Sequence, residues 1–135
     1  MLIKEKEIAT LKLPFPNKYS GLAVKSHMYI CNKSGINKEM VKCQTLKPYH
    51  LLPNNNDPKY YVLELPSNRN TFKNDTVIDC DKFFSISNVT IDRKLVKGWV
   101  DGTVMNKIHN MQKNSKFKIV PINVTDLKTL NSLVY

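Results

Sequence analysis

The chain has 135 residues, 41% of them hydrophobic and 24% charged, and a formal net charge of +10. That length suits one domain over 1–135 with its own core, and the composition excludes a collagen-like chain, a wholly disordered one and any membrane-spanning run of ~18 apolar residues. Three widely spaced cysteines, Cys31, Cys43 and Cys80, form no Cys-x-x-Cys pair, which argues against a disulfide framework or tetrahedral zinc and for small buried hydrophobes.

The opening MLIKEKEIATLKLPFP has no continuous apolar segment and carries Glu5 and Glu7. It does not read as a signal peptide, which points to the cytoplasm. Residues 7–13 alternate as a first strand, ended by Pro14 and Pro16. Asn17 to Gly21 form a loop with Lys18 exposed. Residues 22–31, LAVKSHMYIC, resume a strand, and MYIC is its most buried part. After the turn NKSGIN, residues Met40, Val41, Cys43 and Leu46 mark a third strand stopped by Pro48. The stretch YHLLPNNNDPK, 49–59, is too rich in Asn and Pro to hold a ladder or a helix. YYVLEL, 60–65, is a strong strand, and TVIDCDKFFSI, 76–86, reads as strand with an acidic turn. Short strands with no early helix predict a mainly β fold, a compact twisted sheet or small barrel.

The last third changes character. Leu95, Val96 and Trp99 fit a helical turn interrupted by Gly98 and Gly102. Asp101 is placed to cap a helix with Val104, Met105, Ile108 and Met111 on its apolar face. FKIVPINV, 117–124, predicts a short strand that Pro121 restricts to an edge. Asp126 would cap a final helix carrying Leu127, Leu130, Leu133 and Val134.

Lysine and arginine number 21 against 11 acids, and only Arg69 and Arg93 are arginine. Residues 1–50 hold nine lysines and three acids. Such a field favours polyanions through counterion release, although a bias of composition towards Lys and Asn would also produce it. Lysine meets phosphate as a point charge and reads a guanine edge less well than arginine.

No phosphate-binding glycine loop, HExxH, GxSxG or EF-hand pattern is present. His27, His50 and His109 are too dispersed to suggest a metal site. His109 lies on the predicted helix, His50 in the irregular loop beside Tyr49, and His27 at a strand start. Asp79 and Asp81 have the spacing of two carboxylates on one strand face, which can hold Mg²⁺ or move protons. A solvated turn, or pairing with Lys82, is the simpler account. Lys25 and Ser26 stand at the entrance to the most apolar strand, and Thr45 ends the third. RNA cleavage by its own 2′-hydroxyl needs an activated oxygen, a neutralised phosphate and a protonated leaving group, which cations and hydroxyls can supply without metal.

The ordered pieces LPFPNKYSG (13–21), VKSHMYICN (24–32), VKCQTLKP (41–48), YYVLEL (60–65) and NTFKNDTVIDCDKFFSISNVTIDRKL (70–95) together resemble the MazF/PemK-like toxins of type II toxin–antitoxin systems. The resemblance covers about residues 7–98. It implies a small SH3-like barrel with helical additions at the C-terminal end, here 99–135, and a homodimer. It further implies a metal-independent endoribonuclease that cleaves single-stranded RNA or mRNA to a 2′,3′-cyclic phosphate and a 5′-hydroxyl. No cofactor is implied, and a cognate antitoxin would block the groove. The family's arginine falls on Lys25, with Ser26 replacing its proline partner, and its strand-end threonine falls on Thr45. Lys25 would then stabilise the scissile phosphate and Thr45 donate to it. A one- or two-residue shift puts His27 at the active position. Lys18 and Lys47 would contact phosphates, Tyr19 and Tyr49 would stack bases, Asn55 and its neighbours would read base edges, and His50 would assist from the loop. A non-catalytic relative that binds nucleic acid or poisons a protein such as DNA gyrase is the alternative, and an unrelated small β-domain is a third.

Overall fold

Successive side chains of a strand point to opposite faces of its sheet. A run such as MYIC, with no polar interruption, therefore needs a cover on both sides. A computed structural model describes residues 2–48, 61–114 and 116–135, and in it both faces are covered. Eight strands lie in one sheet: β1 (Glu7–Leu11), β2 (His27–Lys33), β3 (Asn37–Thr45), β4 (Tyr61–Glu64), β5 (Thr76–Asp79), β6 (Lys82–Ser87), β7 (Val96–Trp99) and β8 (Lys118–Pro121). Among the described residues three α-helices accompany them: the single turn α1 (Gly21–Val24), α2 (Gly102–Asn114) and α3 (Val124–Leu130).

The main path runs β4-β5-β3-β2-β1-β7, all antiparallel. The other half of β3 pairs with β6, and β8 joins the outer side of β6 in parallel. Ala9, Leu11, Tyr29, Cys31, Met40 and Phe84 form one buried face, packed by Val89, Ile91, Leu127 and Val134 from the C-terminal part of the chain. Ile8, Ile30, Val41, Cys43 and Ile78 form the other, packed by Val104, Met105 and Ile108 of α2. The sheet is the middle of three layers.

This overturns the SH3-like barrel and the MazF/PemK resemblance that implied it. The path has two ends, β4 and β7, and they are not neighbours in the ladder. A single bridge between Asn70 and Val100 joins the segments that follow them and does not close the sheet. The physical reason is the two-sided apolar pattern. A small barrel has one interior to fill, whereas this sheet has two apolar faces, each with its own cover.

Local chemistry explains the ends of the elements. Asp101 Oδ1 accepts from Thr103 N at 2.9 Å and Val104 N at 3.1 Å, capping α2 as its sequence predicts. Asn123, not Asp126, caps α3, its Oδ1 accepting from Asp126 N at 3.0 Å. Leu95, Val96 and Trp99 do not share a helical turn: a 3-10 turn at Arg93–Leu95 leads directly into β7. The chain's last residues are tied in. Asn131 accepts from Lys12 N at 2.9 Å and donates to Lys12 O at 2.7 Å, while Tyr135 and Thr90 exchange backbone bonds at 2.6 and 3.0 Å. No helix of the described residues is long and apolar enough to cross a membrane.

Two buried features give measurable consequences. Tyr29 is fully buried, and its hydroxyl has no partner among the described residues. An unpaired buried hydroxyl costs about 1–3 kcal/mol, so Tyr29→Phe is expected to raise stability by about 1 kcal/mol in urea denaturation; an equal loss would show that the hydroxyl is satisfied. Burial pushes the thiols of Cys31 and Cys80 up to about 12, with nearby carboxylates adding to it, and raises Cys43 as well. All three should be inert to Ellman's reagent at pH 8 in the native protein and react fully once it is unfolded. Fast reaction of any one in native buffer would contradict the packing.

Candidate nucleic-acid interface

The segment between β1 and β2 builds a groove. Leu13 N donates to Leu22 O at 2.7 Å, which folds the segment back on itself. Asn17 Oδ1 accepts from Tyr19 N at 2.9 Å, an Asx turn that fixes the loop tip. The Ser20 hydroxyl bonds to the carbonyls of Phe15 and Asn17 from the base of α1. Lys25 is extended after α1, so β2 begins only at His27, later than the sequence suggests.

The groove has a volume of about 530 Å³. Its walls are Phe15, Pro16, Leu22 and Val24, and its polar rim is Ser20, Lys25 and His27. Val24 is 61% exposed, an apolar side chain offered to whatever enters. Tyr19, one residue before Ser20, is 79% exposed, and the Lys18 ammonium lies 5.4 Å from its ring centroid. His27 is half-buried. Its Nδ1 lies 2.9 Å from the Lys25 carbonyl, which can only accept, so Nδ1 carries the proton and Nε2 of the neutral ring is an acceptor.

An ionic cluster adjoins the groove through shared walls, Phe15 and Leu22. Lys42 Nζ lies 3.5 Å from Asp79 Oδ2, Gln44 Nε2 donates to the same oxygen at 3.1 Å, and Lys82 pairs with Asp81 at 2.7 Å. The carboxylates are neutralised by lysine, as the simpler account of Asp79 and Asp81 anticipates. Among the described residues no three His, Cys, Asp or Glu side chains gather into a set that could hold a metal ion.

Comparison with known protein families, curated proteins and solved structures finds no match.

The sequence-derived site divides. Lys25 and His27 line one groove, and Ser26 is the exposed link between them. Thr45 is elsewhere. The register pairs Met28 with Cys43, so Thr45 shares the face of Cys43 and Met28, while His27 shares that of Tyr29. Thr45 lines a different cavity, with Met28 and Phe72. Lys47 is exposed beyond the end of β3. Tyr49, His50 and Asn55 lie outside the described residues. Sequence reasoning missed Phe15, Leu22 and Val24 as groove walls. Their signal was the excess of apolar residues in a segment read as turn and strand.

Removing the Ser20 hydroxyl takes its donor from the Phe15 carbonyl and leaves the Asn17 carbonyl only the longer bond from Ser20 N, at 3.3 Å. Ser20→Ala is expected to speed amide hydrogen exchange across 15–25 while leaving β1 and β3 unchanged. Uniform protection in both proteins would show that the hydroxyl does not hold the loop.

Proposed function

We propose that the chain binds single-stranded RNA along the groove between Phe15 and His27. The observation that carries this reading is the exposed Tyr19 beside Lys18, one residue from a groove with apolar walls and a rim of Lys25 and His27. Single strands are held by this combination: cations follow the phosphates, and aromatic or apolar faces take unstacked bases. The overall charge of +10 supplies long-range attraction. His27 Nε2, an acceptor in the groove, can take a hydrogen bond from a ribose 2′-hydroxyl, the group that separates RNA from DNA.

The same nitrogen favours a second reading, cleavage of the bound strand without metal. An acceptor that receives the 2′-hydroxyl proton is a general base, and the Lys25 ammonium on the same rim can offset charge on the phosphate. The 2′-oxygen bonds to phosphorus as the bond to the 5′-oxygen breaks, and the departing 5′-oxygen takes a proton from water, giving a 2′,3′-cyclic phosphate and a 5′-hydroxyl. Thr45 has no part in this chemistry, since it lies on the other face of the sheet. A cognate antitoxin and a homodimer rest on the overturned resemblance alone and form no part of this reading.

Fluorescence anisotropy with labelled single-stranded RNA and DNA of one sequence tests binding. RNA should bind more tightly, with affinity falling steeply as salt rises. Lys18→Ala and Lys25→Ala should each reduce the salt slope by about 1. Tyr19→Ala should weaken binding by roughly 5- to 150-fold, the range for one lost base stack. Wild-type affinity in all three variants would refute the groove. Incubation with long RNA in EDTA, read by mass spectrometry of the ends, tests cleavage. Cyclic-phosphate ends lost in His27→Ala and kept in Thr45→Ala are expected; intact RNA would leave binding alone as the function.

A further inference from the structure

On the opposite face of the sheet, β1, β2, β3 and β5 meet the segment from Thr71 to Asn74 around a second cavity, of about 310 Å³. Its volume is at the lower end of the range for small-molecule sites, roughly 300–1,000 Å³. Its floor is apolar: Ile8, Met28 and Phe72. Its rim is polar and cationic, with Lys73 and Lys97, the hydroxyl of Thr45 and the amide of Asn74. No carboxylate lines it among the described residues.

The wall is built to close tolerance. Thr71 Oγ1 accepts from Trp99 N at 3.0 Å, and Thr71 N donates to Trp99 O at 3.1 Å. An added Cβ at Gly98 would meet Thr71 Oγ1 at 2.0 Å, so only glycine lets the segment from Thr71 approach β7 this closely. Thr76, 2% exposed, fixes the far side, its hydroxyl donating to Asn74 O at 2.9 Å. By contrast, neither Lys73 nor Lys97 has an ion-pair partner among the described residues, and the Thr45 hydroxyl and Asn74 amide have no hydrogen bond there. Four polar groups without such partners among the described residues, two of them cations, thus surround an apolar floor.

We infer that this cavity is a binding site for a free nucleoside monophosphate. Two ammonium groups match a terminal phosphate monoester, which carries close to two negative charges near pH 7. The Thr45 hydroxyl and the Asn74 amide give the neutral donors that such an anion needs for its remaining oxygens. Met28 and Phe72 suit a planar base, through dispersion and the soft thioether. A sugar phosphate would leave Met28, the half-buried part of that floor, without a planar partner, and an uncharged nucleoside would leave both cations without a counter-charge. This site is independent of the RNA groove. It uses the other face of the sheet and other residues.

Equilibrium dialysis of the full chain against adenosine 5′-monophosphate tests it, with adenosine, inorganic phosphate and a 5′-phosphorylated oligoadenylate in parallel. Saturable one-to-one binding of the monophosphate is expected, tighter than adenosine or phosphate by at least tenfold. A Lys73→Ala/Lys97→Ala double variant should lose at least tenfold in affinity, and Thr45→Val severalfold. Lys25→Ala, across the sheet, should leave it unchanged. All the substituted side chains are at least partly exposed, and thermal unfolding verifies that each variant is folded. No saturable binding, wild-type affinity in the double variant, or equal loss in Lys25→Ala would overturn the site. Adenosine or phosphate binding as tightly as the monophosphate would overturn the ligand class. Because the oligoadenylate is also a strand for the RNA groove, its arm is read on a Lys18→Ala/Lys25→Ala background: binding there that is tighter than the monophosphate and lost on adding Lys73→Ala/Lys97→Ala would overturn a free nucleotide in favour of a strand end.

Discussion

One strand is too long for its partners, and the rest of the sheet follows from it. β3 spans Asn37–Thr45. Along one edge it pairs with β2, from Cys43 to Glu39. Along the other it changes partner: β5 takes Cys43 to Thr45, and β6 takes Asn37 to Met40. The turn at Cys80 and Asp81 lies at the change of partner. Beyond it the two halves diverge, β5 carrying β4 outward and β6 carrying β8. The ionic cluster of Lys42, Asp79, Asp81 and Lys82 stands where the strands part. Apolar side chains from both sides of β3, Met40 and Val41, anchor the two separate cores.

Many acids of the described residues are engaged in ion pairs or caps within the fold. Glu7 pairs with Arg93, and its carboxyl stays below the usual range, because the hydrogen bonds from Arg93 and from the Lys4 amide outweigh the opposing effect of burial. Glu64 is 5% exposed and takes Lys107 at 2.8 Å. Asp92 and Asp101 cap helical turns. Lys18, Lys25, Lys73 and Lys97, by contrast, are exposed on the two sides of the sheet. Each ion pair sets one cation against one anion, so the net charge of +10 is unchanged and rests on the remaining lysines. Lysine dominates that surface, and of the two arginines Arg93 serves an internal pair. Such a surface suits tracking of phosphates more than reading of base edges.

Much of the local structure was legible in the sequence, since it depends on neighbours in the chain. The strand runs read at 7–13, 60–65 and 76–86, the Asp101 cap and the Asp81–Lys82 pair all rest on local spacing. The closure of the sheet was not legible. Alternation in EIATL suggests one buried face, yet four consecutive apolar residues in MYIC already require two. Adjacent residues of one segment, Lys25 and His27, reach a common groove because the chain itself holds them together. Thr45 does not, because its face is fixed by the pairing of Met28 with Cys43, and register between strands distant in sequence has no local signal. The same holds for Lys73 and Lys97, which come together only through the close approach of Thr71 to Gly98.

The fastening of the last residues bears on how the chain folds in time. Asn131 binds the backbone of Lys12, and Tyr135 closes a two-bond exchange with Thr90. Leu127 and Val134 complete the core face that Ala9 and Leu11 begin. Contacts of such sequence separation slow the search for the native state. During synthesis, β1 to β3 emerge long before the residues that shield them, with both apolar faces uncovered at first and the face of Ala9 and Leu11 incomplete until Leu127 and Val134 are made. A chain truncated before residue 127 should therefore be protease-sensitive and retained by chaperones, becoming compact only when residues 127–135 are present.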